Sequence, residues 1–352
     1  MKILVTGGAG FIGTELCRLL LSQPDVHILN VDCLSYAANL DGIRDLSVND
    51  RYTFETGDVR DASKITALIE MFLPTAIIHL AAESHVDRSI DDSSDFISTN
   101  ILGTQILLDS VLGYWKKLDF EEQKVFRFLH VSTDEVFGSL GEEGKFREDS
   151  PYRPNSPYAA SKAASNHLAR AWHQTYGLPV LITNCSNNFG PYQFPEKLIP
   201  LMIGNALEGR PLPVYGSGQN IRDWLYVEDH ARALLMVTQK GRVGETYNIG
   251  GGSERKNLDL VKELCNILDR LCPSSSIRSY SKLISFVEDR PGHDLRYSVD
   301  DSKIRKELQW KPKWNFEMGL EKTVLWYLNN RGWMEKVKVN SYSHARRGLV
   351  SR

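Results

Sequence analysis

Two groups of residues in this chain have the types and spacing that chemistry needs. The first is Ser132-Thr133-Asp134-Glu135, two hydroxyls followed by two adjacent carboxyls. Neighbouring carboxyls divide into an acid and a base when their surroundings push their proton affinities apart. The second is Tyr158-Ala159-Ala160-Ser161-Lys162, which on a helix puts Tyr158 and Lys162 on one face, at i and i+4. A free tyrosine titrates near about 10, too high for a base at neutral pH. A neighbouring ammonium, and any positive ring bound beside it, would favour the phenolate and bring that value down. The pair could then take a proton from a hydroxyl while hydride leaves the same carbon. Taken singly, each motif has a plainer reading: a polar turn after a strand, and a surface pair on a helix.

The elements that must position these residues weigh against the plainer readings. The run Val125–Val131 is apolar and reads as a buried strand, so Ser132–Glu135 stand at a strand's carboxyl end. Ligands bind there in an open α/β sheet. At the start of the chain, strand 2–6 leads into Thr6-Gly7-Gly8-Ala9-Gly10-Phe11-Ile12-Gly13 and a helical pattern over Thr14–Leu21. Strand, glycine turn and helix make a phosphate site, because the backbone can approach a pyrophosphate and the helix offers unpaired N–H groups. The spacing is GxxGxxG, at Gly7, Gly10 and Gly13, rather than GxGxxG. A second strand, Val26–Val31, ends at Asp32, where an acidic residue bonds a ribose 2′-hydroxyl and repels a 2′-phosphate. The expected cofactor is therefore NAD rather than NADP.

Further strands at Tyr52–Glu55 and Ala76–Ala82 flank a helix at Ala62–Met71. This alternation predicts a doubly wound parallel Rossmann sheet. Asp58, just past a strand, could hold the adenine end of the cofactor or cap a helix. Ala81 and Ala82 would suit either a flat cofactor or core packing. The segment Glu83–Ser89 is too polar and specific for a plain turn; Ser84 is its ligand candidate, and His85 reads as a capping or surface residue. Helices are expected over Asp95–Leu112 and Ser156–Tyr176, with a charged, proline-rich loop at Gly141–Pro157 before the second.

Past residue 186 the strict alternation fades and short apolar pieces alternate with Pro/Gly-rich loops, as at Gly209–Gly216. The expected division is a cofactor domain over 1–186, returning at about 223–250, and a smaller mixed α/β lobe over 187–222 and 251–330. Residues 331–352 would be a tail. The returns would be a helix over Trp224–Gln239 and a strand over Glu245–Ile249. Lys197, Arg222 and Arg290 are isolated cations in polar loops, suited to a diphosphate or simply solvated.

Composition excludes other classes. Net charge is −2 over 352 residues, which leaves no footprint for nucleic acid or a membrane surface. The five cysteines are scattered and odd in number, as expected for reduced thiols in a cytoplasmic protein, and none has metal-ligand spacing, so no metal is expected. No signal peptide or membrane span is expected either.

The glycine turn, the Ser-Thr pair and Tyr158-x-x-x-Lys162 together resemble the extended short-chain dehydrogenase/reductase family. Thr133-Asp134-Glu135 narrows the resemblance to the nucleotide-sugar 4,6-dehydratases. The segments Asn187–Leu198, Asn220–Trp224 and Arg290–Asp294 agree, and the match runs to about residue 330. It departs at Phe137 and Phe189, where the family commonly has tyrosine, and the basic stretch His344–Arg352 has no counterpart and is read as disordered.

The resemblance implies redox-neutral dehydration of a nucleoside-diphosphate glucose, with dTDP-glucose as the first expectation and UDP-, CDP- or GDP-linked sugars as alternatives. A 4-epimerase of the same family, and more remotely a non-catalytic NAD-binding scaffold, are the competing readings. It makes Tyr158 the base at O4, Glu135 the base at C5 and Asp134 the acid at O6, with Thr133 bonding O4 and Lys162 holding the nicotinamide ribose. It assigns Gly7, Gly10, Phe11, Ile12, Gly13, Asp32, Asp58, Val59, Ala81, Thr99 and Asn188 to the cofactor. The sugar nucleotide falls to Ser84, Asn187, Lys197, Leu198, Pro213, Tyr215, Arg222, Asn257, Arg290 and His293. It also implies a homodimer packed through helices Asp95–Leu112 and Ser156–Tyr176, although packing within one subunit would explain their apolar residues equally well.

Overall fold

The computed structural model describes residues 1–341, with side chains through residue 337; the stretch His344–Arg352 lies outside the described residues. In chain order the strands are β1 (Lys2–Thr6), β2 (His27–Asp32), β3 (Tyr52–Thr56), β4 (Ala76–His79), β5 (Arg127–Thr133), β6 (Val180–Cys185), β7 (Asn187–Phe189), β8 (Leu212–Tyr215), β9 (Ile221–Tyr226), β10 (Thr246–Ile249), β11 (Glu254–Lys256) and β12 (Ile284–Val287). Seven of them form one sheet in the order β10-β6-β5-β4-β1-β2-β3, every pair parallel. This is the doubly wound Rossmann sheet that the alternation predicts. Three-stranded β11-β9-β7 and two-stranded β12-β8 sheets accompany it.

The strands read as nearly continuous apolar runs because both faces of the sheet are covered. Ile3, Val5, Ile28 and Ile78 pack on one face with Leu16 and Leu20 of helix Phe11–Leu21 and Leu234 of helix Val227–Lys240. Leu4, Leu29 and Ile77 pack on the other with Ile65, Leu107 and Ala169 from helices Ala62–Phe72, Thr104–Trp115 and Pro157–Tyr176. A separate core under the small sheets gathers Phe189, Trp224, Leu264 and Tyr327. The carboxyl ends of β1, β4, β5 and β6 thus face the joint between the two cores.

Four expectations change. Residues 224–226 belong to β9, and the helix begins at Val227. On that strand Leu225 enters the first core while Trp224 and Tyr226 enter the second, so a two-residue period runs unmarked into a helical one. The expected helix Asp95–Leu112 is a helical run over 94–115 whose segment Ile97–Gly103 is π-helical. There the Asn100 side chain leaves the helix to bond both Glu83 N (2.9 Å) and Glu83 O (3.0 Å), and it donates to Ser161 Oγ at 2.8 Å. Ile304, Leu308 and Trp310, expected in the lobe, pack in the first core. Helix Arg331–Ser341, expected in a tail, places Trp333, Met334 and Val337 in the second core.

Phe137 and Phe189, at positions where tyrosine is usual in the family, are both about 1% exposed among aromatic rings. Phe137 stacks on Phe146 at 5.0 Å, and Phe189 meets Tyr226 and Phe316 at 5.5 and 5.4 Å. A hydroxyl there would need a partner that these rings do not supply.

Asp229 joins helix Val227–Lys240 to the segment after Trp310. Its fully buried carboxylate accepts from Lys313 N (2.9 Å), Trp314 N (3.0 Å) and Arg232 Nη1 (2.7 Å). Asp229→Ala strands two amides and a guanidinium, so it is expected to cost about 3 kcal/mol. Asp229→Asn should recover part of that loss, and thermal unfolding of the pair measures the difference.

Candidate active site

The glycine turn is held by contacts that only glycine permits. Gly7 sits at φ +75°, and a Cβ there would lie 2.6 Å from Ala81 N; at Gly13 it would lie 2.3 Å from Gly7 O. The turn therefore packs directly on the end of β4 and on its own helix. Gly10 caps helix Phe11–Leu21 with extended backbone and no side-chain bond. That leaves the first-turn amides for a ligand. Asp32, at the end of β2, accepts from Ala9 N at 3.0 Å and Leu34 N at 2.8 Å. Burial pushes its carboxyl up while these two amides pull it down.

A cavity of about 380 Å³ runs from this turn to Tyr158. Every residue expected to hold the cofactor lines it, from Gly7 through Asp32, Asp58 and Thr99 to Asn188. Asp58 meets it together with Arg60, whose Nη2 donates to the carboxylate at 2.6 Å and holds it below the usual carboxylate range. A glycine cradle too close for a Cβ, open helix amides and an acidic residue at the second strand's end fit a dinucleotide with free ribose hydroxyls.

At the far end of the cavity, β5 finishes at Thr133 and Asp134–Phe137 form a 3₁₀ turn. Thr133 Oγ1 caps that turn, accepting from Glu135 N and donating to Asp134 Oδ1, both at 3.3 Å. Helix Pro157–Tyr176 starts with Ser156 as N-cap, accepting from Ala159 N at 3.1 Å, and with proline at its first position. Its first turns bring Tyr158 and Lys162 beside Thr133 and Glu135 on the cavity wall. Lys162 Nζ donates to Val131 O at 2.9 Å, and burial pushes it down to about 8.

The two carboxyls sit in different electrostatic surroundings. Asp134 is 1% exposed and is pushed well above the carboxylate range by burial, by Glu135 and by Asp223, and its Oδ2 is buried with no hydrogen-bond partner among the described residues. Glu135 is also raised by burial, but Arg290, Arg222 and Lys197 all oppose that shift. Glu135 lines the cavity, and Asp134 adjoins it between Glu135 and the cavity-lining Thr133. The tyrosine departs from expectation. Burial and the Glu135 charge push Tyr158 well above 10, opposed by a hydrogen bond to Thr133, while one N–H of the Lys162 ammonium goes to a backbone carbonyl. The protein groups alone do not bring the phenol down.

Ser84, Asn187 and Lys197 also line the cavity, and Lys197 Nζ donates to Ser84 O at 2.9 Å. The other residues expected to meet the sugar nucleotide do not line this cavity. Leu198 opens helix Leu198–Leu207, Asn257 opens helix Asn257–Leu271, and Pro213 and Tyr215 lie in β8. Arg222 is not a solvated cation: it lies over the Tyr297 ring at 4.3 Å and donates to Ile221 O (2.8 Å) and Asp294 O (3.0 Å). Arg290 Nη1 meets Asp87 Oδ1 at 3.0 Å. His293 Nδ1 lies 2.6 Å from Asp289 Oδ1, and burial with the charges of Arg290 and Arg222 pushes it down to about 4.

The chain matches the model of the GDP-mannose 4,6 dehydratase family over residues 4–323. It is 54% identical to a dTDP-glucose 4,6-dehydratase of Escherichia coli, over 99% of this chain and 100% of that one. It is equally close, over the whole of both chains, to a probable dTDP-glucose 4,6-dehydratase of Sinorhizobium fredii. Among solved structures, the dTDP-glucose 4,6-dehydratase of Streptomyces venezuelae with NAD and TYD bound superposes with a TM-score of 0.87 at 47% identity, covering 96% of this chain and 100% of that one.

The chain belongs to this dehydratase family.

A UDP-glucose 4-epimerase of Thermotoga maritima also superposes, at a TM-score of 0.83 and 27% identity over 94% of this chain and 100% of that one. Architecture alone therefore does not choose between dehydration and epimerisation, and the carboxyl pair of the dehydratase family must. Sequence reasoning missed three participants in this family member's site. Asp87 bonds Arg290 and also accepts from the Tyr215 hydroxyl. Glu196 lines the cavity and accepts from the Tyr36 hydroxyl at 2.8 Å, with Arg88 Nε at 3.4 Å. Asp223 accepts from Ser186 Oγ at 2.6 Å and adds to the charge that raises Asp134. Each lay in a stretch that residue order singles out, Asp87 in Glu83–Ser89, Glu196 in Asn187–Leu198 and Asp223 in Asn220–Trp224, but none was marked as a site residue. His85, in Glu83–Ser89, is indeed a cap, its Nδ1 accepting from Arg88 N at 3.3 Å.

Proposed function

We propose that this enzyme is an NAD-dependent hydro-lyase that converts dTDP-glucose to dTDP-4-keto-6-deoxyglucose. The observation that carries the reading is the Thr133-Asp134-Glu135 turn beside Tyr158 and Lys162, with one carboxyl pushed toward its protonated form by burial and neighbouring charge and the other open to the cavity. NAD, when bound, supplies the acceptor for hydride from C4, the hydride that later returns to C6, and the positive ring that the tyrosine needs. Tyr158 takes the O4 proton, with Thr133 bonding that oxygen. The resulting ketone acidifies C5–H, and Glu135 removes that proton. Asp134 protonates the C6 hydroxyl, which leaves as water, and Glu135 returns a proton to C5 as C6 is reduced. Lys162 anchors the nicotinamide ribose. The first core carries the cofactor and the second the nucleotide, with Lys197, Arg222 and the loop bearing Arg290 and His293 around the diphosphate end.

We place the protein in the cytoplasm as a homodimer. Free cysteines support the first point. The second is supported by Ile97, Leu102 and Tyr176, each about half exposed on the helices expected to pair. Among the described residues no helix is long and apolar enough to cross a membrane.

The roles given to the two carboxyls set the pH profile. Glu135 must be ionised, so turnover rises with pH through a value above the ordinary glutamate range. Asp134 must be protonated, so turnover falls again as pH rises through its raised value. Asp134→Asn should remove the alkaline limb attributable to that group while lowering the plateau, as a kcat profile from pH 5 to 10 would reveal.

The activity itself is tested with purified protein and dTDP-glucose, no nicotinamide added, with UDP-glucose in parallel. Loss of one water from the dTDP sugar supports the reading and the retention of NAD through turnover. Loss from UDP-glucose alone corrects the nucleotide. Unchanged mass with NAD supplied overturns dehydration.

A further inference from the structure

The two cores meet at the segment 84–88. Lys197 bonds Ser84 O, Glu196 faces Arg88, and one carboxylate joins two further pieces of the lobe. That carboxylate is Asp87, 7% exposed at the start of helix Val86–Asp91. Its Oδ2 accepts from the Tyr215 hydroxyl at 3.0 Å, and its Oδ1 accepts from Arg290 Nη1, also at 3.0 Å. Tyr215 ends β8, and Arg290 lies in the loop after β12, the strand paired with β8. The sequence separations are 128 and 203 residues, so neither contact is a local turn bond. Both partners of Asp87 carry groups suited to a nucleoside diphosphate: a planar ring with a hydroxyl, and a guanidinium. The Tyr215 ring also meets His293 edge-on at 6.2 Å, so that loop is fixed from two sides.

We propose that Asp87 is a positioning residue for nucleotide recognition: it holds Tyr215 and Arg290 in one arrangement against the first core, so that the diphosphate end of the substrate meets a prepared site. The proposal rests on the reading of the protein as a nucleotide-sugar dehydratase and adds to it a residue that does not itself touch the substrate. A carboxylate is suited to the task because it accepts from a phenol and a guanidinium at once, one on each oxygen. The arginine stays charged and partly desolvated beside it, with its remaining donors available to phosphate oxygens. Without Asp87, the side chains of Tyr215 and Arg290 would have to be ordered when the ligand binds, and affinity would carry that cost.

The test uses the NAD-loaded full chain. Dissociation constants for dTDP are measured by calorimetry, with kcat and KM for dTDP-glucose and a thermal melt alongside, for the wild type, Asp87→Ala, Asp87→Asn, Tyr215→Phe and the double variant Asp87→Ala/Tyr215→Phe. Asp87→Ala is expected to raise Kd and KM at least tenfold with kcat changed less than threefold, and Asp87→Asn to recover part of the affinity. Tyr215→Phe should cost much less in the Asp87→Ala background than in the wild type. Unchanged or tighter dTDP binding in Asp87→Ala overturns the proposal, as do strictly additive effects of the two substitutions. A loss confined to the melting temperature also overturns it and leaves Asp87 a structural tie. Wild-type protein that binds dTDP but leaves dTDP-glucose unchanged overturns the dehydratase reading instead, so the two failures are told apart.

Discussion

Replacing Tyr158 by phenylalanine is expected to lower kcat about a thousandfold while leaving the cofactor bound. The magnitude follows from removing a positioned general base, which contributes about 10² to 10⁴. A thousandfold corresponds to about 4 kcal/mol of transition-state stabilisation. The fold should tolerate the change. The ring is 9% exposed and packs edge-on against Phe96 at 6.3 Å, contacts that phenylalanine keeps. What is lost is the hydroxyl and its bond to Thr133. Single-turnover measurement with dTDP-glucose, together with the nicotinamide content of the purified variant, checks the result. Turnover within tenfold of the wild type would remove Tyr158 from the chemistry, and loss of the cofactor would reassign it to binding.

Glu135→Gln is expected to have an effect of similar size on net dehydration, with a different signature. Glutamine keeps the volume and the hydrogen-bonding reach but cannot take a proton from C5. In deuterium oxide the wild type should place solvent deuterium on the product sugar, read as a mass increase, and Glu135→Gln should place essentially none. The substitution also removes a negative charge that raises both Tyr158 and Asp134. Oxidation at C4 should therefore persist, with its pH dependence moved to lower pH, while loss of water fails. Normal dehydration by Glu135→Gln would sink the assignment of the C5 base. Arg290 and Arg222 lose a counter-charge in this variant, so the pH at which it is assayed should be varied rather than fixed.

Much of the molecule was legible from residue order because the relevant physics is local. The turn at Gly7–Gly13 announces a phosphate cradle, since Gly7 and Gly13 stand where backbone meets backbone. Asp32 and Thr133–Glu135 declare themselves by standing at the ends of apolar strands. Tyr158 and Lys162 share a helix face through a four-residue spacing, and a serine cap with proline after it marks where that helix starts. Where local pattern was ambiguous, the reading slipped: Trp224–Tyr226 continue an apolar spacing across a strand–helix boundary, and the π-helical turn around Asn100 is made by a bond to a distant backbone.

The chemistry of the carboxyls was decided by contacts no local pattern contains. Adjacent Asp134 and Glu135 are indistinguishable as a dipeptide. The roles proposed for them rest on surroundings the fold supplies: Asp134 lies near the charge of Asp223, across the joint with β9, while Arg290, Arg222 and Lys197 from the lobe oppose the rise at Glu135. Asp87 likewise gains its partners from residues more than a hundred positions away. Residue order determined which groups this protein has and which element presents each of them. The tertiary structure decided which charges face one another, because desolvation and Coulomb interactions depend on distance through space rather than along the chain.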